Sequence, residues 1–394
     1  MSISEKVKKG LLTNSHARSI FEESRLLKKK YGDDKVFDLT VSSPTLEPPE
    51  AFIHELRKVI LNPFPGMHRY MENAGYTETR RAVAIELEKE TGIKFDWNDV
   101  VMTGGAAGAL NSVFKTLING EEEILVFAPF FYEYASYIDN YGGICTVLPT
   151  DSNFVPNLVA LETAISSRTK AVIINSPNDP AGVVYSEEIL KQIAEILEAK
   201  SITLKKRIYV VSDDVYHKFY YAEKNLPQII RYYTHTILVR SFSKDLFVPG
   251  ERLGYMAGHP DCEDIKNITG GLIYTLRTLG FVNASAIMQN AVRPLLDYPV
   301  PLADFQRKRD YLYESLRQIG YSVTRPEGAF YLFPQLPLKD DLAFADELKK
   351  HLVLTVPGSI FKAPGYLRVS YCVDDKTLEG SLAGFRRAME KYNR

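Results

Sequence analysis

From Val100 onward the chain alternates short apolar runs with helical stretches, and no other feature restricts its fold as much. Ile124–Phe127, Cys145–Leu148, Ala171–Ile174, Ile208–Val211 and Ile237–Val239 are apolar runs of strand length bounded by turn residues. Helical stretches lie between most of them. Ser186–Lys200 is one, and Glu187 and Glu188 favour its start by opposing the positive end of the helix dipole. Strands without polar alternation are covered on both faces, so the pattern predicts a mainly parallel sheet flanked by helices. In such sheets a ligand sits at the carboxyl ends of the strands.

The flanking segments read differently. Pro48–Leu61 carries Phe52, Leu56, Val59 and Ile60 on one helical stripe, and a second helix runs from after Tyr76 to about Glu90, closed by Gly92. From Leu302 a long helix with Phe305, Tyr311 and Leu316 leads to a strand pattern at Tyr321–Phe333. A helix near Ala343–Lys350, apolar runs at Leu352–Val356 and Tyr366–Tyr371, and a final helix follow. At 394 residues the chain is long enough for two lobes. The expected division is an N-terminal segment, 1–47, belonging to a small lobe; a large α/β domain, 48–295; and a smaller α+β domain, 296–394.

Composition excludes several classes. A net charge of -1 asks for neither nucleic acid nor an anionic membrane. No apolar run approaches the roughly 20 residues that span a bilayer. Cys145, Cys262 and Cys372 are odd in number and far apart, so free buried thiols are expected rather than disulfides. The seven histidines are scattered without metal-ligand spacing, so no metal is expected. The charged N-terminus has no apolar leader core, and a cytoplasmic protein is the expectation.

The chemistry gathers after the strands. Ser241-Phe242-Ser243-Lys244 follows Ile237–Val239, and Arg252 comes eight residues after the lysine. A lysine after a buried strand is ordinarily a solvated surface group. Three other stretches raise its weight. Ser212-Asp213-Asp214-Val215-Tyr216 ends the preceding strand, where an acid would otherwise read as a helix cap. Asn175-Ser176-Pro177-Asn178-Asp179-Pro180-Ala181-Gly182 ends Ala171–Ile174 and would alone read as a turn. Thr103-Gly104-Gly105-Ala106-Ala107 opens a helix, and its small residues let backbone amides approach a phosphate.

In this order, these stretches resemble the fold-type I pyridoxal-phosphate enzymes, specifically the class I/II aminotransferases. The resemblance runs from about Val36 to the C-terminus. It implies that Lys244 holds pyridoxal 5'-phosphate as an internal Schiff base, and that Asp213 keeps the pyridine nitrogen protonated. It assigns Tyr216 to the phenolic oxygen, and Ser241, Arg252 and the amides of Gly105, Ala106 and Ala107 to the phosphate. Phe131 takes the place of a ring that stacks on the cofactor, with core packing an equal reading. Tyr70 matches a tyrosine that reaches the neighbouring subunit's phosphate, which implies a homodimer with shared active sites. Arg368 matches the arginine that grips the substrate α-carboxylate, a task suited to its planar fork.

Three positions depart from the pattern: Asp179, Ala181, where the family usually has threonine, and Ser42. The family usually has asparagine at Asp179, where a donated hydrogen bond meets the cofactor oxygen, and an ionised carboxylate cannot donate. Asp179 is therefore protonated, or turned away, or raises the pKa of the lysine–cofactor adduct. Ser42 stands where glycine is common, which narrows the pocket. Arg277 lies near the loop where dicarboxylate-specific relatives carry a second arginine. The implied reaction moves an amino group from an L-amino acid to a 2-oxo acid, generically 2-oxoglutarate. The alternatives are a β-lyase, decarboxylase or synthase on the same scaffold, or a non-catalytic sensor of the cofactor.

Overall fold

The computed structural model describes residues 3–13 and 15–392. Its centre is a seven-stranded sheet. The strands in chain order are β1 (Val100–Thr103), β2 (Glu123–Phe127), β3 (Ile144–Leu148), β4 (Thr169–Ile174), β5 (Tyr209–Asp213), β6 (Thr236–Ser241) and β7 (Gly254–Gly258). Across the sheet they run β1-β7-β6-β5-β4-β2-β3. The five from β3 to β6 pair in parallel, while β7 is antiparallel to both its neighbours, β6 and β1.

Every residue of β2, β5 and β6 is buried, as the unbroken apolar runs require. The two-residue period of a strand divides them between two layers. Ile124 and Val126 join the cluster around Val113 and Phe114, whereas Leu125 and Phe127 join that around Leu161 and Ile193. Helices Ala106–Leu117 and Glu187–Leu204 supply those layers. Ser186 caps the second of them, its hydroxyl accepting from the Ile189 amide.

The five expected strands all lie in this sheet, each within two residues of its expected start and end. β7 was not expected, because Gly-Tyr-Met-Ala-Gly has little strand propensity. Tertiary contact explains its composition. A Cβ on Gly254 would lie 2.5 Å from the Arg240 carbonyl oxygen and 3.1 Å from the Gly105 Cα. The strand can cross behind the Gly105 turn only without a side chain there.

The C-terminal part builds a three-stranded antiparallel sheet from Val356–Pro357, Leu367–Ser370 and Tyr331–Leu332. Helices Leu302–Ile319, Asp341–Lys350 and Asp375–Tyr392 accompany it. Phe37–Asp38 pairs in parallel with Val353–Leu354, which ties the N-terminal segment to this sheet's neighbourhood. The strand expected over 321–333 is a correction: only Tyr331–Leu332 is strand. The preceding stretch bonds elsewhere. The amides of Glu327 and Gly328 donate to the Gly182 carbonyl, and Ala329 donates to Phe219. These partners belong to the loops after β4 and β5, so the segment seals those loops. Among the described residues, no helix is long and apolar enough to cross a membrane, and no cluster of His, Cys, Asp and Glu could hold a metal.

Candidate active site

The carboxyl ends of β1, β4, β5 and β6 open onto one cavity of about 270 Å³. Lys244 reaches it from the single helical turn Phe242–Asp245 that follows β6. Its ammonium donates to the Ser42 carbonyl oxygen. It also lies 5.7 Å from the centre of the Tyr216 ring and 5.6 Å from that of Phe330. The side chain is exposed only in part, and that part faces the cavity. Burial lowers its pKa to about 8, against the opposing pull of Asp179. An amine with that pKa exists in both protonation states near neutrality, as a nucleophile and proton carrier must.

Asp213 ends β5 and is buried. One carboxylate oxygen, Oδ2, accepts from the Tyr134 hydroxyl at 2.5 Å. The other, Oδ1, has no partner among the described residues. Burial raises this carboxyl to about 7, offset in part by the tyrosine. Asp214, one residue on, has the opposite orientation. Its Oδ1 accepts from the Ser212 hydroxyl at 2.6 Å, and its Oδ2 lies 3.9 Å from the Arg240 guanidinium. Arg240 in turn pairs with Glu90 at 2.5 Å. The adjacent acids thus serve different purposes: Asp213 lines the cavity and Asp214 braces the sheet behind it.

An anion cup lies at the cavity's other end. Ala106 and Ala107 begin the helix Ala106–Leu117, whose first amides have no helical acceptors. Gly105 caps it at φ 85° and ψ 172°, a conformation open essentially to glycine alone. Arg252 lies against this turn: a Cβ on Gly105 would approach its Nη2 to 2.7 Å. Ser241 and Ser243 complete the cup, with the Ser241 hydroxyl donating to that of Ser243 at 2.8 Å. Gly105→Ala should therefore displace Arg252 and strain the turn by roughly 1–3 kcal/mol. The expected result is at least tenfold weaker binding of inorganic phosphate or pyridoxal phosphate, measured by calorimetric titration. Unchanged affinity would remove Gly105 from the cup.

Tyr216 donates to Asp179 Oδ2 at 3.1 Å and shares a 2.9 Å hydrogen bond with the Tyr331 hydroxyl. Asp179 is 4% exposed and lines the cavity. Its two oxygens accept from Arg368 Nη1 at 2.9 and 3.2 Å. Arg368 does not line the cavity, since Asp179 stands between. Burial opposes its charge, but the Asp179 carboxylate outweighs that and raises its pKa. The geometry uses Asp179 as an acceptor on both oxygens.

Other expected residues are placed as follows. Phe131 lines the cavity and packs edge-on against Tyr134 at 5.5 Å. Ser42 lines it as well and contributes its carbonyl to Lys244. Tyr70 is 92% exposed and lies with Phe281 in a separate surface depression. Arg277 is exposed on the helix Ile265–Thr278, its guanidinium 6.0 Å from the Tyr274 ring. Neither enters the cavity of its own chain. Three residues went unnoticed in the sequence: Tyr134, Ser243 and Tyr331. Tyr134 lies three residues after Phe131 and Ser243 lies inside the quoted lysine block, so both had a local signal. Tyr331, in a distant strand, had none.

The profile of the family "aminotransferase class I and II" matches residues 34–384. The chain belongs to the class I and II aminotransferases. It is an aminotransferase, and enzymes of this family depend on pyridoxal phosphate. A probable aspartate/prephenate aminotransferase of Aquifex aeolicus is 30% identical over 357 residues, 87% of each chain. The aspartate aminotransferase of Thermotoga maritima is 29% identical over 362 residues, 90% of this chain and 91% of that one. Among solved structures, an aminotransferase from Eubacterium rectale superposes with a TM-score of 0.95 at 31% identity, covering 100% of both chains. The Thermus thermophilus aspartate aminotransferase with maleate reaches 0.86 at 25% identity, covering 98% of this chain and 100% of that one.

The residues of this aminotransferase fit pyridoxal phosphate. The orphaned Asp213 Oδ1 is a buried acceptor without a partner, on a residue that lines the cavity. Such an atom is costly unless a ligand's N–H meets it. The cup of Ser241, Ser243, Arg252 and helix amides suits a phosphate. Lys244 lies between the two.

Proposed function

We propose that this aminotransferase moves an amino group from an L-amino acid to a 2-oxo acid, with 2-oxoglutarate as acceptor and pyridoxal phosphate held on Lys244. The observation that carries the reading is one cavity joining a lysine of lowered pKa, an orphaned carboxylate oxygen and an anion cup. When bound, the cofactor supplies an electron sink for the carbon that loses a proton. The chain does the rest. Asp213 Oδ1 accepts the ring N–H, and Tyr134 holds the carboxylate in place from its other oxygen. Ser241, Ser243, Arg252 and the amides of Gly105, Ala106 and Ala107 hold the phosphate, and Phe131 covers the ring. Tyr216 is poised for the phenolic oxygen. With the cofactor bound, Lys244 Nζ would take and return the substrate proton; burial lowers the pKa of its free amine to about 8.

The same reading includes a homodimer in which Tyr70 and Arg277 serve the partner's site; both are exposed and neither lines the cavity of its own chain. It includes the division into residues 1–47, 48–295 and 296–394, and a cytoplasmic setting. Relatives named for aspartate and prephenate support donors and acceptors of that acidic kind.

The test is an amino-donor screen on purified protein loaded with pyridoxal phosphate. Absorbance of the lysine-linked cofactor should be lost with one or a few amino acids and restored by 2-oxoglutarate, with keto acid formed in equal amount. Loss without keto acid would favour lyase or decarboxylase chemistry, and no change with any donor would favour a sensor.

A further inference from the structure

We propose that Asp179 is a built-in competitor for the substrate carboxylate, a specificity-determining residue that holds Arg368 until a ligand displaces it. The inference rests on the proposed role of Arg368 in gripping a substrate carboxylate.

The Arg368 guanidinium packs against Tyr331 and Phe361, with ring centres 4.5 and 5.0 Å from its carbon. Nη2 donates to the Thr40 carbonyl oxygen at 3.1 Å. Nη1 spends itself on both oxygens of Asp179. Nε has no partner among the described residues. Asp179 lines the cavity while Arg368 does not. A carboxylate arriving through the cavity therefore meets a like charge first, and it competes with Asp179 for the Nη1 side of Arg368.

Asp179 is held in that position from three directions. Tyr216 donates to Oδ2, its own amide donates to Asn175 Oδ1 at 2.8 Å, and Arg368 takes the remaining side. Asn175 in turn donates to the Asp213 carbonyl at 2.8 Å. The competitor is thus tied to the frame that carries the orphaned carboxylate. Exchanging one carboxylate for another returns little of the free energy that binding to an unpaired buried arginine would release. Ligands with a single carboxylate and few other contacts should bind weakly. Ligands with further anchoring groups should be selected by comparison, because only they offset the displacement.

The experiment compares maleate binding to native protein, Asp179→Asn and Asp179→Ser, each loaded with pyridoxal phosphate, by calorimetry. Asparagine keeps the shape but lacks the charge that occupies Arg368. The expected result is at least tenfold tighter maleate binding by Asp179→Asn, with the serine variant also tighter than native. Arg368→Gln should abolish the gain when combined with either. Equal affinity overturns the proposal, and so does weaker binding, which is what a merely structural carboxylate would produce on removal. Near-ultraviolet circular dichroism confirms the fold of each variant, and the serine variant decides if the asparagine one does not fold. Failure of the proposed function would show separately, as the absence of lysine-linked absorbance with pyridoxal phosphate in the native protein.

Discussion

Lys244→Ala leaves a folded protein whose amino transfer falls by roughly 10²–10⁴-fold, the range expected when a positioned proton carrier is lost. The side chain lines a cavity, so few packing contacts disappear with it. Its charge is a burden on the cofactor-free fold. In the unfolded chain the amine titrates near 10.5, in the folded chain at about 8. The folded state therefore binds this proton less tightly, and stability is lowest below pH 8 and recovers as pH rises toward 10.5. Removing the amine relieves that cost. At pH 7 the cofactor-free variant should melt higher than native, by about 1 °C for each kcal/mol relieved in a chain of 394 residues. Single-turnover rates and thermal scans at pH 7 and 10 check both parts. A variant that keeps a tenth of native activity would remove Lys244 from the chemistry.

Asp213→Asn should likewise divide function from stability. Activity should fall roughly 10²–10³-fold, as when one preorganised electrostatic partner is removed. The cofactor-free fold should gain stability, with a pH dependence opposite to that of the lysine. This carboxyl titrates near 3.8 when unfolded and at about 7 when folded, because burial disfavours its charge. The folded state holds the proton more tightly, so the favourable contribution is full below about pH 4 and lost as pH rises through 7. Three pKa units correspond to about 4 kcal/mol, an order-of-magnitude figure. The asparagine variant should lose this slope and exceed the native protein above pH 7. Asp245, also raised to about 7 by burial, leaves a residual slope in both proteins. Denaturant midpoints from pH 4 to 8 provide the measurement, and parallel curves would refute the assignment. An acid kept at such cost is the kind of local strain that a functional site retains.

Most of the frame was legible in the amino-acid order. β2, β4, β5 and β6 announced themselves because strands buried on both faces must be continuously apolar. The lysine block was legible because the end of β6 and the turn after it hold Ser241 and Lys244 within four residues. Other parts were hidden for stated reasons. β7 begins with Gly254, where neighbouring backbone leaves no room, and ends with Gly258 against the Ile265 side chain, so its sequence resembles a turn more than a strand. The stretch before Tyr331 has strand composition but spends its amides on Gly182 and Phe219.

Within the candidate site the division follows distance along the chain. Local order alone set the strand ends, the glycine at the helix cap, and the serines, lysine and arginine that follow β6. Those features depend on neighbours a few residues apart, where turn chemistry and side-chain period operate. Only the tertiary structure decided that Tyr134 occupies one oxygen of Asp213 and that Asp179 pairs with Arg368. That last pair spans 189 residues of sequence. Buried charges require partners wherever the fold places them, and no local pattern records which partner arrives.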